Sequence, residues 1–185
     1  TLAFIPLCLI AFLLVPILLT VIFGPSYEPA IPALQIIIWT ILPMIIGSCY
    51  SVMLLIPAGK FNEFLFAAGV GATVNIILNI ILIPKYSMLG AGMATIIAET
   101  MSMMTSAYLA QRVFSLNLFK YLLLPLLLSV LGLAPYFMIL FITKGLSTIF
   151  QLSLSGVTFI GVYILLAFLL ERSFIFEFAR EIFRK

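Results

Sequence analysis

NIILNIILIPKYSMLGAGMATIIAET, residues 75–100, decides how this chain folds. An isoleucine-rich run carries two asparagines four residues apart, Asn75 and Asn79, and ends at Pro84-Lys85-Tyr86. Beyond that break Gly90 and Gly92 restart an apolar run holding a single carboxylate, Glu99. Proline removes a backbone donor and ends or kinks a helix, so the stretch reads as two antiparallel helices around a short turn. Both arms are too apolar for water, which puts the hairpin in a membrane.

The rest of the chain agrees. Its 185 residues are 65% hydrophobic and 8% charged, with a mean hydropathy of +1.35. A water-soluble domain needs more charge than that to cover its surface. Several apolar runs reach about 20 residues, the helix length that crosses a hydrocarbon layer of about 30 Å. Breaker residues mark six expected spans, near 1–23, 31–56, 64–83, 90–111, 121–142 and 151–170. The expected fold class is all-α integral membrane, with short loops and no extramembrane domain. Residues 171–185 form a different object. Phe174, Ile175, Phe178 and Ile182 share one side of a helical wheel, and Glu177, Arg180, Glu181 and Arg184 the other. That is the pattern of an amphipathic helix lying on the membrane surface.

Charge sets the expected orientation. The loops after the first, third and fifth spans carry Lys85 and Lys144. The opposite side carries Lys60, Arg112, Lys120, Arg172, Arg180, Arg184 and Lys185. Basic residues concentrate on the cytoplasmic side, so the C-terminus is expected inside and the Gly24–Pro29 loop outside. The chain starts at Thr1 directly in an apolar run without a preceding basic segment, which argues against a signal peptide. The expectation is the C-terminal piece of a longer multi-pass protein of the cytoplasmic membrane.

Several function classes fall away. There is no histidine, and all six acidic residues are glutamates. Serine triads, HExxH zinc sites and aspartate-based metal catalysis are thereby removed, so no enzyme activity and no cofactor is expected. Cys8 and Cys49 sit inside apolar segments without metal or redox spacing, and read as small hydrophobes. The net charge of +3 is a topology signal and not a basic face, so no nucleic-acid partner is expected. Prolines recur inside spans at Pro6, Pro16, Pro43 and Pro135. Membrane bundles accept them because neighbouring helices or waters re-satisfy the freed carbonyls.

Two polar stripes are the candidate site. Ala68, Gly71, Ala72, Asn75 and Asn79 share a face of the third span by the i, i+3, i+4, i+7 rule. Gly92, Thr95, Glu99, Ser102 and Ser106 form the corresponding stripe on the fourth. Glu99 lies about 14 Å from Gly90 along the helix, close to the midplane, where carboxylates face the protein interior or water and often mark a substrate or ion path. The plainer alternative is helix–helix glue, since small residues and amides also hold membrane helices together. The candidate pathway residues are Asn75, Asn79, Thr95, Glu99, Ser102 and Ser106, with Asn75 the better placed asparagine to approach Glu99.

The run VIFGPSYEPAIPALQIIIW (21–39), followed by residues 75–99, resembles the C-terminal region of polysaccharide flippases. These belong to the multidrug/oligosaccharidyl-lipid/polysaccharide exporter superfamily. Phe23, Gly24, Tyr27 and Ala30 match the family's Leu-Phe-Gly-x-x-Tyr-x-x-Ala segment, with Ile22 in place of leucine. Asn75, Leu78, Asn79, Leu82, Ile83 and Pro84 match Asn-x-x-Leu-Asn-x-x-Leu-Ile-Pro. Gly90, Ala91, Ala94 and Thr95 match most of Gly-x-x-Gly-Ala-x-x-Ala-Thr, but Ser87 stands where the first glycine would be. The resemblance covers residues 1–115; the last two spans agree only in hydropathy and length.

The resemblance implies one lobe of a two-lobe transporter, completed by an N-terminal lobe and working by alternating access. It implies a polyprenyl-diphosphate-linked oligosaccharide as cargo, flipped to the outer leaflet for cell-surface polysaccharide biosynthesis. Membrane lipid is the other expected partner. Rival readings are a multidrug/cation antiporter or a peptidoglycan-precursor flippase of the same superfamily. From other classes, a membrane-embedded glycosyl enzyme or a non-transporting fragment remain as alternatives.

Overall fold

The computed structural model describes residues 4–114, 123–143 and 148–170. Its helices are α1 (Phe4–Phe23), α2 (Ile31–Tyr50), α3 (Phe61–Gln111), α4 (Leu123–Ile142) and α5 (Thr148–Leu170). Among the described residues there is no strand. The expected amphipathic segment 171–185, and the basic residues Lys120 and Lys144, lie outside the described residues. The chain divides into two compact units, one built from α1, α2 and α3 and the other chiefly from α4 and α5.

Helix is the default here because a backbone in lipid must satisfy its own N–H and C=O groups. Among the described residues, three helical stretches are long and apolar enough to cross a membrane: Phe4–Phe23, Pro25–Leu55 and Phe61–Gln111. Shorter apolar helices occupy Leu127–Ile139 and Leu154–Leu166. The chain is a helical membrane protein.

Between α1 and α2 the Pro25–Ala30 segment makes a 3-10 turn, with no buried residue. The far end of α2 changes pitch. Ser51–Leu55 is a π-helical turn, in which the Ile56 amide reaches the Ser51 carbonyl at 3.0 Å. Lys60 N then bonds Leu55 O at 2.9 Å and Gly59 N bonds Ile56 O at 3.0 Å. This pair of bonds is a Schellman stop, and its reversing position requires the positive φ of 71° that Gly59 adopts. Helix α3 restarts at once. Lys60 pairs with Glu63 at 3.3 Å, and Glu63's own backbone N–H, then Lys60, hold its carboxyl below the ordinary glutamate range.

The 51 residues of α3 would run about 77 Å if straight, far beyond one membrane thickness. They do not run straight. Pro84, expected to stop the third span, stays inside the helix, and the chain reverses three residues later at Ser87, with φ 49° and ψ −125°. Proline's ring fixes φ at a helical value. Its missing donor and its clash with the carbonyl four residues earlier kink a helix without reversing it, so the reversal needs a different residue. The arms 61–86 and 88–111 then pack antiparallel. Gly90 lies so close to the first arm that a β-carbon there would overlap the Leu82 carbonyl. Further along, a β-carbon on Gly71 would stand 2.8 Å from Ser102 Cβ and 3.4 Å from Ala98 O. Helix α2 lies against the second arm and runs parallel to it: Gly92 faces Ala33 and Ile36, and Gly47 faces Met103.

In the second unit α4 and α5 pair around aromatic rings. Gly132 accepts the Phe159 ring against its backbone, and Tyr136 meets Phe159 edge-on, centroids 6.4 Å apart.

Ser87 holds a backbone conformation that glycine adopts freely and serine at a cost of about 1–3 kcal/mol. Ser87→Gly is expected to raise stability by about 1 kcal/mol. Gly90→Ala is expected to lower it, because the arms must separate to admit a methyl group. Thermal unfolding of the intact protein in detergent or lipid measures both.

Candidate functional site

The second arm of α3 has three kinds of surface. Met93, Ile97, Met101, Met104 and Tyr108 are exposed along one side. Ala98 and Ser102 meet the first arm at Gly71, and Gly92 and Met103 meet α2. Each residue turns a helix by about 100°, so Thr95, Glu99 and Ser106 project between those two contact lines, opposite the exposed side. Ser106 is buried, while Thr95 and Glu99 are half-buried. The Thr95 hydroxyl turns back on its own helix and donates to Ala91 O at 2.9 Å.

The first arm brings its amides to the same region. Asn75 and Asn79 stand four and eight residues beyond Gly71; Glu99 and Thr95 stand three and seven before Ser102. Antiparallel pairing makes Asn75 level with Glu99, and Asn79 level with Thr95. Antiparallel helices also reverse their sense of rotation, so residues displaced C-terminally from the seam lean to the same side on both arms. The four residues therefore border one side of the hairpin, the side on which α2 packs.

Their bonding differs from the expectation in one respect. Asn79 Nδ2 donates to Asn75 Oδ1 at 2.8 Å, so the two amides share one hydrogen bond along one arm. Glu99 makes no hydrogen bond or ion pair with another described residue. Ser102 belongs to the hairpin seam, its Cβ against Gly71, and not to an open face. The predicted stripe thus separates into a residue of the hairpin seam (Ser102), one against α2 (Gly92), a buried hydroxyl (Ser106) and a half-buried pair (Thr95, Glu99). On the first arm Ala68 and Ala72 are exposed, while Ala67 and Gly71 are the buried small residues.

No group of three or more His, Cys, Asp or Glu gathers among the described residues. An open groove of about 360 Å³, lined by Phe66, Gly69, Val70, Thr73 and Val74, lies on the first arm. It is apolar, and helical rotation turns it away from the Gly71 seam and from Glu99. At the far end of the hairpin the Arg112 guanidinium sits 4.4 Å over the Tyr108 ring, an exposed cation–π pair typical of a membrane-interface anchor.

Polar contacts outside the predicted stripes also matter. Gln35 is the lone amide of α2, and its Nε2 donates to Phe12 O at 3.1 Å. The signal was Pro16: a proline frees the carbonyl four residues earlier, and a polar side chain on a neighbouring helix is the natural donor. In the second unit Ser129 and Ser155 are fully buried, Ser155 bonds Tyr136, and Gln151 Nε2 donates to Thr143 O at 2.6 Å. Ser129, Gly132 and Tyr136 follow the same i, i+3, i+7 spacing that identified the stripes on α3.

Removing the crowding at the seam tests this placement of Ser102. Gly71→Ala is expected to destabilise the hairpin by about 1–3 kcal/mol through overpacking, and Ser102→Gly in the same chain to recover most of the loss. Equal loss with and without Ser102→Gly contradicts the contact. Denaturant unfolding of the intact protein reads the cycle.

No family model matches the chain, and no solved structure matches it. The chain is similar to an uncharacterized membrane protein of Methanocaldococcus jannaschii, 28% identical over 174 residues. That match covers 93% of this chain and 34% of the archaeal protein, so the chain spans about a third of the length of its relative. The relative and the long apolar helices agree that this is a membrane protein.

Proposed function

We propose that the chain forms part of an exporter that flips a polyprenyl-diphosphate-linked oligosaccharide across the cytoplasmic membrane by alternating access. The arms of α3 would each cross the bilayer, giving six crossings with α1, α2, α4 and α5, and the C-terminus would lie in the cytoplasm. An additional N-terminal lobe would complete the central cavity. This part of the protein would contribute binding and movement rather than covalent chemistry, since its 185 residues include neither histidine nor aspartate.

One observation carries this reading. Glu99 stands on the protein-facing side of the second arm, half-buried, with no hydrogen-bonding partner among the described residues. A carboxylate kept for packing would have a partner, because an unpaired polar group in an apolar surrounding is expensive. A carboxylate left unpartnered beside two amides suits a surface that meets a transient ligand. Asn75, Asn79 and Thr95 would offer hydrogen bonds to sugar hydroxyls, and protonation or cation uptake at Glu99 would bias which side is open. The cargo class is what the resemblance of the 21–39 and 75–99 segments to polysaccharide flippases implies.

The test is Glu99→Gln in the intact protein, reconstituted in vesicles with a fluorescent lipid-linked oligosaccharide. Transport is expected to fall by about tenfold or more, a loss of about 1.4 kcal/mol of coupling. Wild-type transport by the variant removes Glu99 from the mechanism. Cation-dependent efflux of an organic dye, with no oligosaccharide movement by the unmodified protein, selects the antiporter reading instead.

A further inference from the structure

Pro16 interrupts α1 and has no N–H to give, so the Phe12 carbonyl four residues earlier loses its helical donor. The Gln35 amide replaces that donor from α2, at 3.1 Å. Other described contacts between the two helices also lie on the N-terminal side of Pro16. Cys8 Sγ approaches Ile38 O at 3.6 Å, and the Phe12 ring meets Trp39 with centroids 6.1 Å apart. Cys8, Ile10 and Val15 are buried in that half. Beyond Pro16 no residue of α1 is buried, and Leu18, Val21, Ile22 and Phe23 are exposed. Thr20 Oγ1 bonds back to Pro16 O at 2.8 Å, a contact that favours bending. The helix then ends at Gly24, whose φ is 87°.

Residues 17–23 therefore form a short arm between a proline and a glycine, and a hydrogen bond borrowed from α2 closes its root. We propose that Gln35 is the latch of a hinge at Pro16. Engaged, it stands in for the missing helical bond and holds α1 in one bend; released, it leaves the 17–23 arm free to swing. Packing alone does not explain an amide here, since leucine would fill similar volume in an otherwise apolar helix without a polar group to satisfy. The inference holds whatever the protein transports.

The experiment measures the bend in the intact protein in lipid. Spin labels at Ile22→Cys and Met44→Cys, both exposed positions, report the distance from the arm to α2 in a background of Cys8→Ala and Cys49→Ala. With Gln35 present the distance distribution is expected to be narrow. Gln35→Leu is expected to broaden or split it. Adding Pro16→Ala to Gln35→Leu is expected to narrow it again, because alanine restores the backbone N–H that the Phe12 carbonyl needs. A distribution unchanged by Gln35→Leu overturns the latch, as does broadening that persists in the double variant. If Gln35→Leu alone does not fold, a folded double variant upholds the proposal and an unfolded one overturns it. A side chain serving only as glue between helices would show the same loss with either proline or alanine in α1.

Discussion

Backbone hydrogen bonding in a medium without water is the constraint on which the rest of this structure depends. At two places where the chain departs from regular helix a local substitute stands in for the lost bonds. The Schellman bonds at Gly59 stop α2, and Gln35 covers the carbonyl freed by Pro16. Hydroxyls at Thr20, Ser51, Thr95 and Thr100 each donate to the carbonyl four residues earlier, so they cost the helices little in lipid. Backbone approach at Gly90–Leu82 and Gly71–Ala98 then lets the two arms of α3 pack with almost nothing between them. Without a hydrophobic driving force between helices in lipid, that close fit is what holds the hairpin.

The two hairpins use polar groups differently, and the contrast bears on function. In the α4–α5 pair the hydroxyl of Ser155 engages both Gln151 O and Tyr136, and Gln151 engages Thr143 O. These groups are internally satisfied, as adhesive between membrane helices must be. In the α3 hairpin Asn75 and Asn79 share one hydrogen bond, but Glu99, level with Asn75, is left without a bond to any described residue. Ile97 and Met101 are exposed, on the opposite side of that arm. A half-buried carboxylate with no partner among the described residues suits the proposed pathway better than a fastener.

Much of this was legible in the residues. Long apolar runs gave the helices, Gly24-Pro25 and Pro57–Lys60 gave their ends, and the small-residue spacing pointed to the Gly71 face. The reversal at Ser87 was harder to read, because Pro84 is the stronger local breaker, yet a helix absorbs proline whereas a φ of 49° ends it. The π-helical turn at Ser51–Leu55 has no composition cue, because it inserts one residue into an otherwise ordinary apolar helix. Ser102 was placed with Glu99 because a helical wheel shows which residues share a face, not which neighbour that face meets. Gln35 pairs with a backbone atom 23 residues away, and only the antiparallel arrangement of α1 and α2 brings them together.

The central claim is that the Glu99 side of the hairpin meets water and cargo while the Ile97 side meets lipid. Cysteine accessibility in the intact protein in its membrane tests it most directly, again in a background lacking Cys8 and Cys49. The account predicts that Glu99→Cys reacts with a small, water-soluble thiol reagent and that lipid-linked oligosaccharide protects it, whereas Ile97→Cys stays unreactive. Equal silence at both positions, or reaction at 97 and not at 99, would contradict it.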